Sequence, residues 1–199
     1  MSIPGYDPHL SLAISAGALT EEQAEAHKVG TEYYGDIRHL YKTTNYSSTY
    51  GIGATKLARD LKINTVKASG LIEAFWAKNW AIKAFADSCY VKKVWGQDWV
   101  YNPVSGFYYS LRAQKDIFST VNQSTGVYCF DTWISFMKKH NLPIPFQYHD
   151  EVMIRVRKIH EMKARDTIQE AMNKTNEKLR LNIELSCGVK SGRNYSDVH

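Results

Sequence analysis

Three cysteines in 199 residues, Cys89, Cys129 and Cys187, are too few and too widely spaced to staple a fold. They are odd in number and form no Cys-x-x-Cys pair, which argues against both a disulfide framework and a zinc site and suits a reducing cytosol. Prolines number only five, and there is no internal repeat, low-complexity tract or obvious linker, so the chain reads as one unit rather than an array or a disordered tail. Long apolar runs are missing as well. The one N-terminal candidate, "LSLAISAGAL", is too short to span a bilayer and follows Asp7 and His9 instead of a basic region. A soluble, cytoplasmic protein without an export signal is expected, and the Asn-x-Ser triplet at Asn45 is then incidental.

The composition that remains is globular: 44% apolar and 23% charged, long enough for one sizeable core or a core plus a small subdomain. A net charge of +5 and a pI near 9.0 favour an acidic partner such as nucleic acid. Asp7 is placed to cap a helix with Pro8 in its first turn, and Thr20 with Gln23 forms a capping box for a second. Helical patterning follows over about 36–59 and 65–90. The aromatic-rich run 91–111 carries Gly96, Pro103 and Gly106 between β-type residues, as a strand hairpin would. A long helix over about 113–140, a hairpin, a charged helix over about 159–179 and a last strand at "LNIELSCGV" complete the order. Helices first and antiparallel strands late predict an α+β fold.

Within "RHLYKTTNYSSTYG", Arg38, Lys42, Tyr46 and Tyr50 recur every four residues and so form one stripe on a helix. Two cations followed by two phenols suit a nucleoside triphosphate, with the cations on phosphates and the rings against sugar and base. An amphipathic helix with core tyrosines and solvated cations gives the same stripe. The segment's Thr, Asn and Ser residues are mediocre helix formers, and Gly51 allows a close backbone approach after the last aromatic.

The second informative stretch is "IPFQYHDEVMIRV", residues 144–156, where His149, Asp150 and Glu151 interrupt a β-favouring run. Phe146 and Tyr148 suit a pleated, half-buried surface, and Val152, Ile154 and Val156 alternate at the period of a strand. The acids therefore fall in or beside a hairpin bend. A surface turn would favour Gly, Asn or Pro there, whereas a carboxylate at a strand end is a typical ligand for a hard cation such as magnesium.

These two segments resemble the motifs of the family A DNA polymerases. The family's fingers helix is matched by Arg38, Lys42, Tyr46, Tyr50 and Gly51, and its palm His-Asp-Glu hairpin by His149, Asp150 and Glu151, in the family's order and at about its spacing. Between them "VNQSTG" resembles a segment that contacts DNA near the primer terminus, through Gln123. "GYDPHLSLA" looks like the Asp-Ile-His segment, which makes His9 a phosphate ligand. "GRNYSDVH" resembles the family's C-terminus, so the likeness runs through nearly the whole chain. Departures occur: Ser47 stands for a common Gly and Tyr195 for the usual Trp. Phe107, Lys115 and Ser119 replace a common Arg, Arg and Asn, which leaves open which DNA contacts persist, though Lys115 retains the charge.

The resemblance implies nucleotidyl transfer to a primer 3′-hydroxyl with two Mg2+ ions. It assigns Asp150 to the metal, Glu151 to its support, His149 to the primer end, and Tyr50, Gly51, Lys115 and Gln123 to DNA. His9, Arg38 and Lys42 would meet the phosphates, Lys42 also as proton donor to pyrophosphate, while Tyr46 would face the sugar and Tyr50 the templating base pair. It also exposes an absence. The family's other palm Asp, in an Asp-x-Ser-x-x-Glu-Leu-Arg motif, precedes the position of His9, and this chain starts too late to hold it. Neighbouring strand side chains point to opposite faces, so Asp150 and Glu151 cannot both clasp one metal pair from a regular strand.

The expectation is thus helical fingers (1–112, with the nucleotide-binding helix at 36–59 and a hairpin at about 91–111) packed beside the C-terminal half of an antiparallel palm (113–199). The Met start and family-like end suggest a separately encoded piece of a split, phage-type polymerase in the host cytoplasm. Its partners would be primer-template DNA, deoxynucleoside triphosphates and an N-terminal chain bringing the missing motif, the thumb and an exonuclease domain. Two alternatives stay open: a catalytically inactive nucleic-acid-binding module, and a metal-dependent nuclease, which would need a further acidic cluster on neighbouring strands.

Overall fold

The computed structural model describes residues 5–198, which leaves out the final His199 of the C-terminal resemblance. Helices build its first part, and side-chain caps start the first two. Asp7 caps α1 (Pro8–Ser15) by accepting from the backbone N–H groups of His9 and Leu10. The Thr20–Gln23 capping box opens α2 (Glu21–Val29), as the sequence predicts.

The helix expected over 36–59 is two helices, α3 (Gly35–Thr49) and α4 (Ala54–Leu61). Gly51 adopts a left-handed φ of 70°, and its N–H and that of Ile52 turn back onto the carbonyls of Ser48 and Ser47. That Schellman-like closure ends the first helix, and extended Gly53 starts the second. The run 65–90 likewise divides, at Asn79, into α5 (Thr65–Lys78) and α6 (Trp80–Ser88). Asn79 donates both its backbone N–H and its side-chain amide to the Phe75 carbonyl and so closes the end of α5.

The expected hairpin at 91–111 carries a third strand. β1 (Val91–Val94), β2 (Gln97–Asn102) and β3 (Phe107–Leu111) form an antiparallel meander, with Val91 opposite Val100 and Val100 opposite Tyr109. Trp95 and Gly96, both at positive φ, make the first tight turn. The long helix α7 (Ile117–Lys139) follows a 3-10 turn at Gln114–Asp116. Then come the hairpin strands β4 (Phe146–Tyr148) and β5 (Glu151–Met153) and the charged helix α8 (Glu161–Leu179).

The described residues divide into two compact units, 5–102 with 106–122, and 103–105 with 123–198. The division falls inside α7, later than the boundary expected at 112/113. In the first unit Leu10, Leu12, Tyr41, Leu57, Leu71 and Phe75 are buried together where α1, α3, α4 and α5 meet. Val100, Leu111 and Val121 form a smaller core under the three-stranded sheet.

In the second unit Trp133, Ile134, Met137, Ile168, Ala171 and Met172 join α7 to α8, with Val152 and Ile154 packed against them. The strand expected at "LNIELSCGV" is absent: residues 181–189 have no ladder partner among the described residues. Side chains of α8 hold the segment instead. Asn176 accepts from the Leu185 N–H at 2.9 Å and donates to the Leu185 carbonyl at 2.8 Å, the two bonds a neighbouring strand would make. Arg165 donates to the Val189 carbonyl and to Ser191 Oγ.

Candidate functional site

In the first unit, the residues predicted to meet a triphosphate gather where the N-terminus of α1 crosses α3. Oδ1 of Asp7 caps α1, and Oδ2 of the same carboxylate accepts from Arg38 Nε at 2.7 Å. His9 is buried, and its ring lies 5.6 Å from that of Tyr46, tilted by 51°. Asn45 approaches the same histidine, its amide nitrogen 3.1 Å from His9 Nδ1 and 3.3 Å from the Pro8 carbonyl oxygen. Tyr46 is about half exposed, at 56%.

Electrostatics tie the cluster together. Burial lowers the His9 pKa below its ordinary value, the Asp7 carboxylate opposes this, and the cations Arg38 and Lys42 lower it further. For Asp7, burial works to raise the carboxyl pKa, but bonds from Arg38, Leu10 and His9 outweigh it and the net shift is downward. The result is a neutral imidazole and an ionised carboxylate beside two cations. Such a patch can meet an anion without first protonating the histidine.

Tyr50 is the C-cap of α3, and the helix does not continue beneath it. Lys115, expected on DNA, donates from Nζ to the Gly51 carbonyl at 3.3 Å. A Cβ on Gly51 would meet Lys115 atoms no closer than 3.5 Å, so the demand for glycine comes from the backbone angle and not from space.

In the second unit, Gln123 is exposed on α7. His149 and Asp150 form the two-residue turn between β4 and β5, and Glu151 is the first residue of β5, paired with Tyr148. His149 holds a positive φ of 52°, and its ring lies 4.3 Å from that of Tyr148. Phe146 and Tyr148, expected on a half-buried surface, are exposed at 47% and 55%. Cross-strand partners share a face, so both sit with Glu151 and Met153, opposite the core-facing Val152. Asp150 and Glu151 thus occupy the predicted bend. No group of three or more His, Cys, Asp or Glu side chains among the described residues is arranged to hold a metal ion. Among the described residues, the donors around Asp150 do not by themselves make a divalent-cation site.

Sequence reading missed two members of the first cluster. The sequence presents Asp7 only as a helix cap, although its second oxygen is Arg38's partner. Asn45 lies seven residues after Arg38, two helical turns on and so on the same face, which was the available signal.

No protein-family model and no curated protein matches the chain. Among solved structures, the POL domain of Pol1 from M. smegmatis, in complex with DNA primer-template and dNTP, is similar at a TM-score of 0.60 and 18% identity. The match covers 86% of this chain and 32% of that one, so the chain spans about a third of its neighbour's length. It shares the fold of part of a DNA polymerase domain. Among the described residues no helix is long and apolar enough to cross a membrane.

Proposed function

We propose that this chain provides the fingers and the C-terminal half of the palm of a family A-type DNA polymerase, and acts as one part of a split, phage-type enzyme. The observation that carries the reading is the convergence of His9, Arg38 and Tyr46, from two helices, within a fold shared with a polymerase domain. In this reading the primer 3′-hydroxyl oxygen forms a bond to the α-phosphorus of a deoxynucleoside triphosphate, and the bond to the pyrophosphate leaving group breaks. Arg38 and His9 hold phosphate oxygens, and Lys42 gives a proton to the departing pyrophosphate. Tyr46 packs on the sugar and Tyr50 on the templating base pair. Gly51, Lys115, Gln123 and His149 contact the primer-template DNA.

Asp150, supported by Glu151, would contribute one carboxylate to a pair of Mg2+ ions, whose other ligands come from an N-terminal chain carrying the Asp-x-Ser-x-x-Glu-Leu-Arg segment. Held there, the ions would supply acidification of the attacking hydroxyl and neutralisation of triphosphate charge. Primer extension tests the proposal. The purified chain alone should be inactive, and mixing it with such an N-terminal chain should restore magnesium-dependent synthesis that Asp150→Asn abolishes. Robust synthesis by the chain alone would overturn the split reading. DNA binding indifferent to magnesium and to Asp150→Asn, with no synthesis from the mixture, would leave an inactive binding module.

A further inference from the structure

The Asn45 side chain reports which nitrogen of His9 carries the proton. A carbonyl oxygen can only accept, so the amide group 3.3 Å from the Pro8 oxygen is the NH2 end. That same nitrogen lies 3.1 Å from His9 Nδ1, which must therefore accept as well. A neutral imidazole whose Nδ1 accepts carries its hydrogen on Nε2. Protonation would place a second hydrogen on Nδ1, facing the NH2 group of Asn45, so the contact opposes the imidazolium.

The groups facing His9 agree with this assignment. Asp7 lies at the start of α1, Arg38 and Lys42 come from α3, and the Tyr46 ring flanks the imidazole. Burial and the two cations favour the neutral ring, with Asp7 opposing. His9 Nε2 has no hydrogen-bond partner among the described residues. It is not sealed off either, since Ser48 Oγ is the one enclosed side-chain polar atom without a partner among them. A donor that is not fully enclosed is thus left without a partner among the described residues.

We propose that Asn45 is a positioning residue that fixes His9 in its Nε2–H tautomer, so that a neutral imidazole donates a hydrogen bond to an anionic oxygen of the incoming triphosphate. The inference rests on the nucleotide reading above and assigns Asn45 a part in it. A neutral donor keeps its bond as pH rises through the ordinary histidine range, where an imidazolium would lose its charge.

Two-bond proton–nitrogen correlation spectra of the full chain, which separate protonated from bare ring nitrogens, test it directly. His9 should show a protonated Nε2 and a bare Nδ1 in the unaltered protein. The reverse pattern overturns the proposal whether or not a triphosphate binds. Asn45→Asp sets an acceptor against Nδ1 and should move the proton there, with far-UV circular dichroism confirming an unchanged helical content. An unmoved proton in the folded variant would also overturn it.

Inorganic tripolyphosphate and thymidine triphosphate should each shift the His9 Nε2 resonance, and Asn45→Asp should weaken both by at least about tenfold through loss of a hydrogen bond to a charged group. If the tautomer is as stated but neither compound moves the resonance, the triphosphate is the wrong ligand. The function proposed above then falls, while the Asn45–His9 assignment stands.

Discussion

Arg38 Nε donates to Asp7 Oδ2 at 2.7 Å while the other oxygen of that carboxylate caps α1, so one side chain both starts a helix and holds a cation of the neighbouring helix. The two roles are separable. Asparagine caps as well as aspartate, so Asp7→Asn should lose only the ion pair, about 0.2–1 kcal/mol for a partly exposed contact. Asp7→Ala should lose roughly 1 kcal/mol more with the cap. Urea unfolding of the two variants measures both steps. Equal losses would mean that the cap contributes nothing.

The same cluster sets a pH dependence. His9 has a folded pKa below its unfolded value, so the unfolded chain binds the extra proton first. Its contribution to stability is fully present above the ordinary histidine value of about 6.5 and is lost as pH falls through the lower folded value. Asp7 is also depressed, and its contribution persists until pH falls below the ordinary aspartate range. Thermal unfolding should therefore show two descending steps on acidification. His9→Gln should remove the upper one, and Asp7→Asn should shrink the lower one, which the depressed carboxyls of Glu22, Glu161 and Glu170 share.

Asn176 stands in for a strand, and its removal should show at one amide. Asn176→Ala takes away both partners of Leu185 in a part-buried place, a loss of about 1–3 kcal/mol. Hydrogen exchange should accelerate at the Leu185 N–H. An unchanged exchange rate would mean that another group protects that amide.

Local chemistry was the legible part of this fold. The caps at Asp7 and Thr20, the turn at His149–Asp150 and the long α7 are written in a few adjacent residues, and the structure has them where the sequence puts them. The breaks at Gly51 and Asn79 are hidden in the sequence because the periodic pattern runs on both sides of them and only the backbone geometry interrupts it. The strand expected over 181–189 has the right residue types, but a ladder requires a second backbone beside it, and α8 offers side chains instead. In the candidate site, the four-residue stripe was visible as far as Tyr46. Its long-range contacts were not, because the face that Arg38 and Asn45 share on α3 does not say that His9 lies against it or that Asp7 meets Arg38.

His149 has a positive φ in the turn that presents Asp150, a conformation costing a non-glycine residue roughly 1–2 kcal/mol. His149→Gly should relieve that strain and leave the chain as stable or up to about 1 kcal/mol more so, since glycine also loses more entropy on folding. If the imidazole serves the primer end, the reconstituted enzyme should nevertheless extend primers more slowly. A variant that is both more stable and fully active would remove His149 from the site.

Tyr46 offers the sharpest test of the nucleotide reading, because its ring lies beside His9 and is half exposed to whatever occupies the patch. A normal nucleotide can use its 3′-hydroxyl for a polar contact with its own triphosphate, and the tyrosine ring then needs only to pack on the sugar. A 2′,3′-dideoxynucleotide lacks that group, and the Tyr46 phenol can take its place, so chain terminators should be accepted nearly as readily as normal substrates. Losing one hydrogen bond to a charged group costs about 1.5–3 kcal/mol, or roughly ten- to a hundredfold or somewhat more in rate. Tyr46→Phe should therefore leave normal incorporation almost intact and depress dideoxynucleotide incorporation by about that factor. The ratio of kcat/KM for the two substrates, before and after substitution in the reconstituted enzyme, reads it out. An unchanged ratio would mean that Tyr46 does not face the sugar, and with it the assignment of the Arg38–Lys42–Tyr46 stripe to the nucleotide would have to be withdrawn.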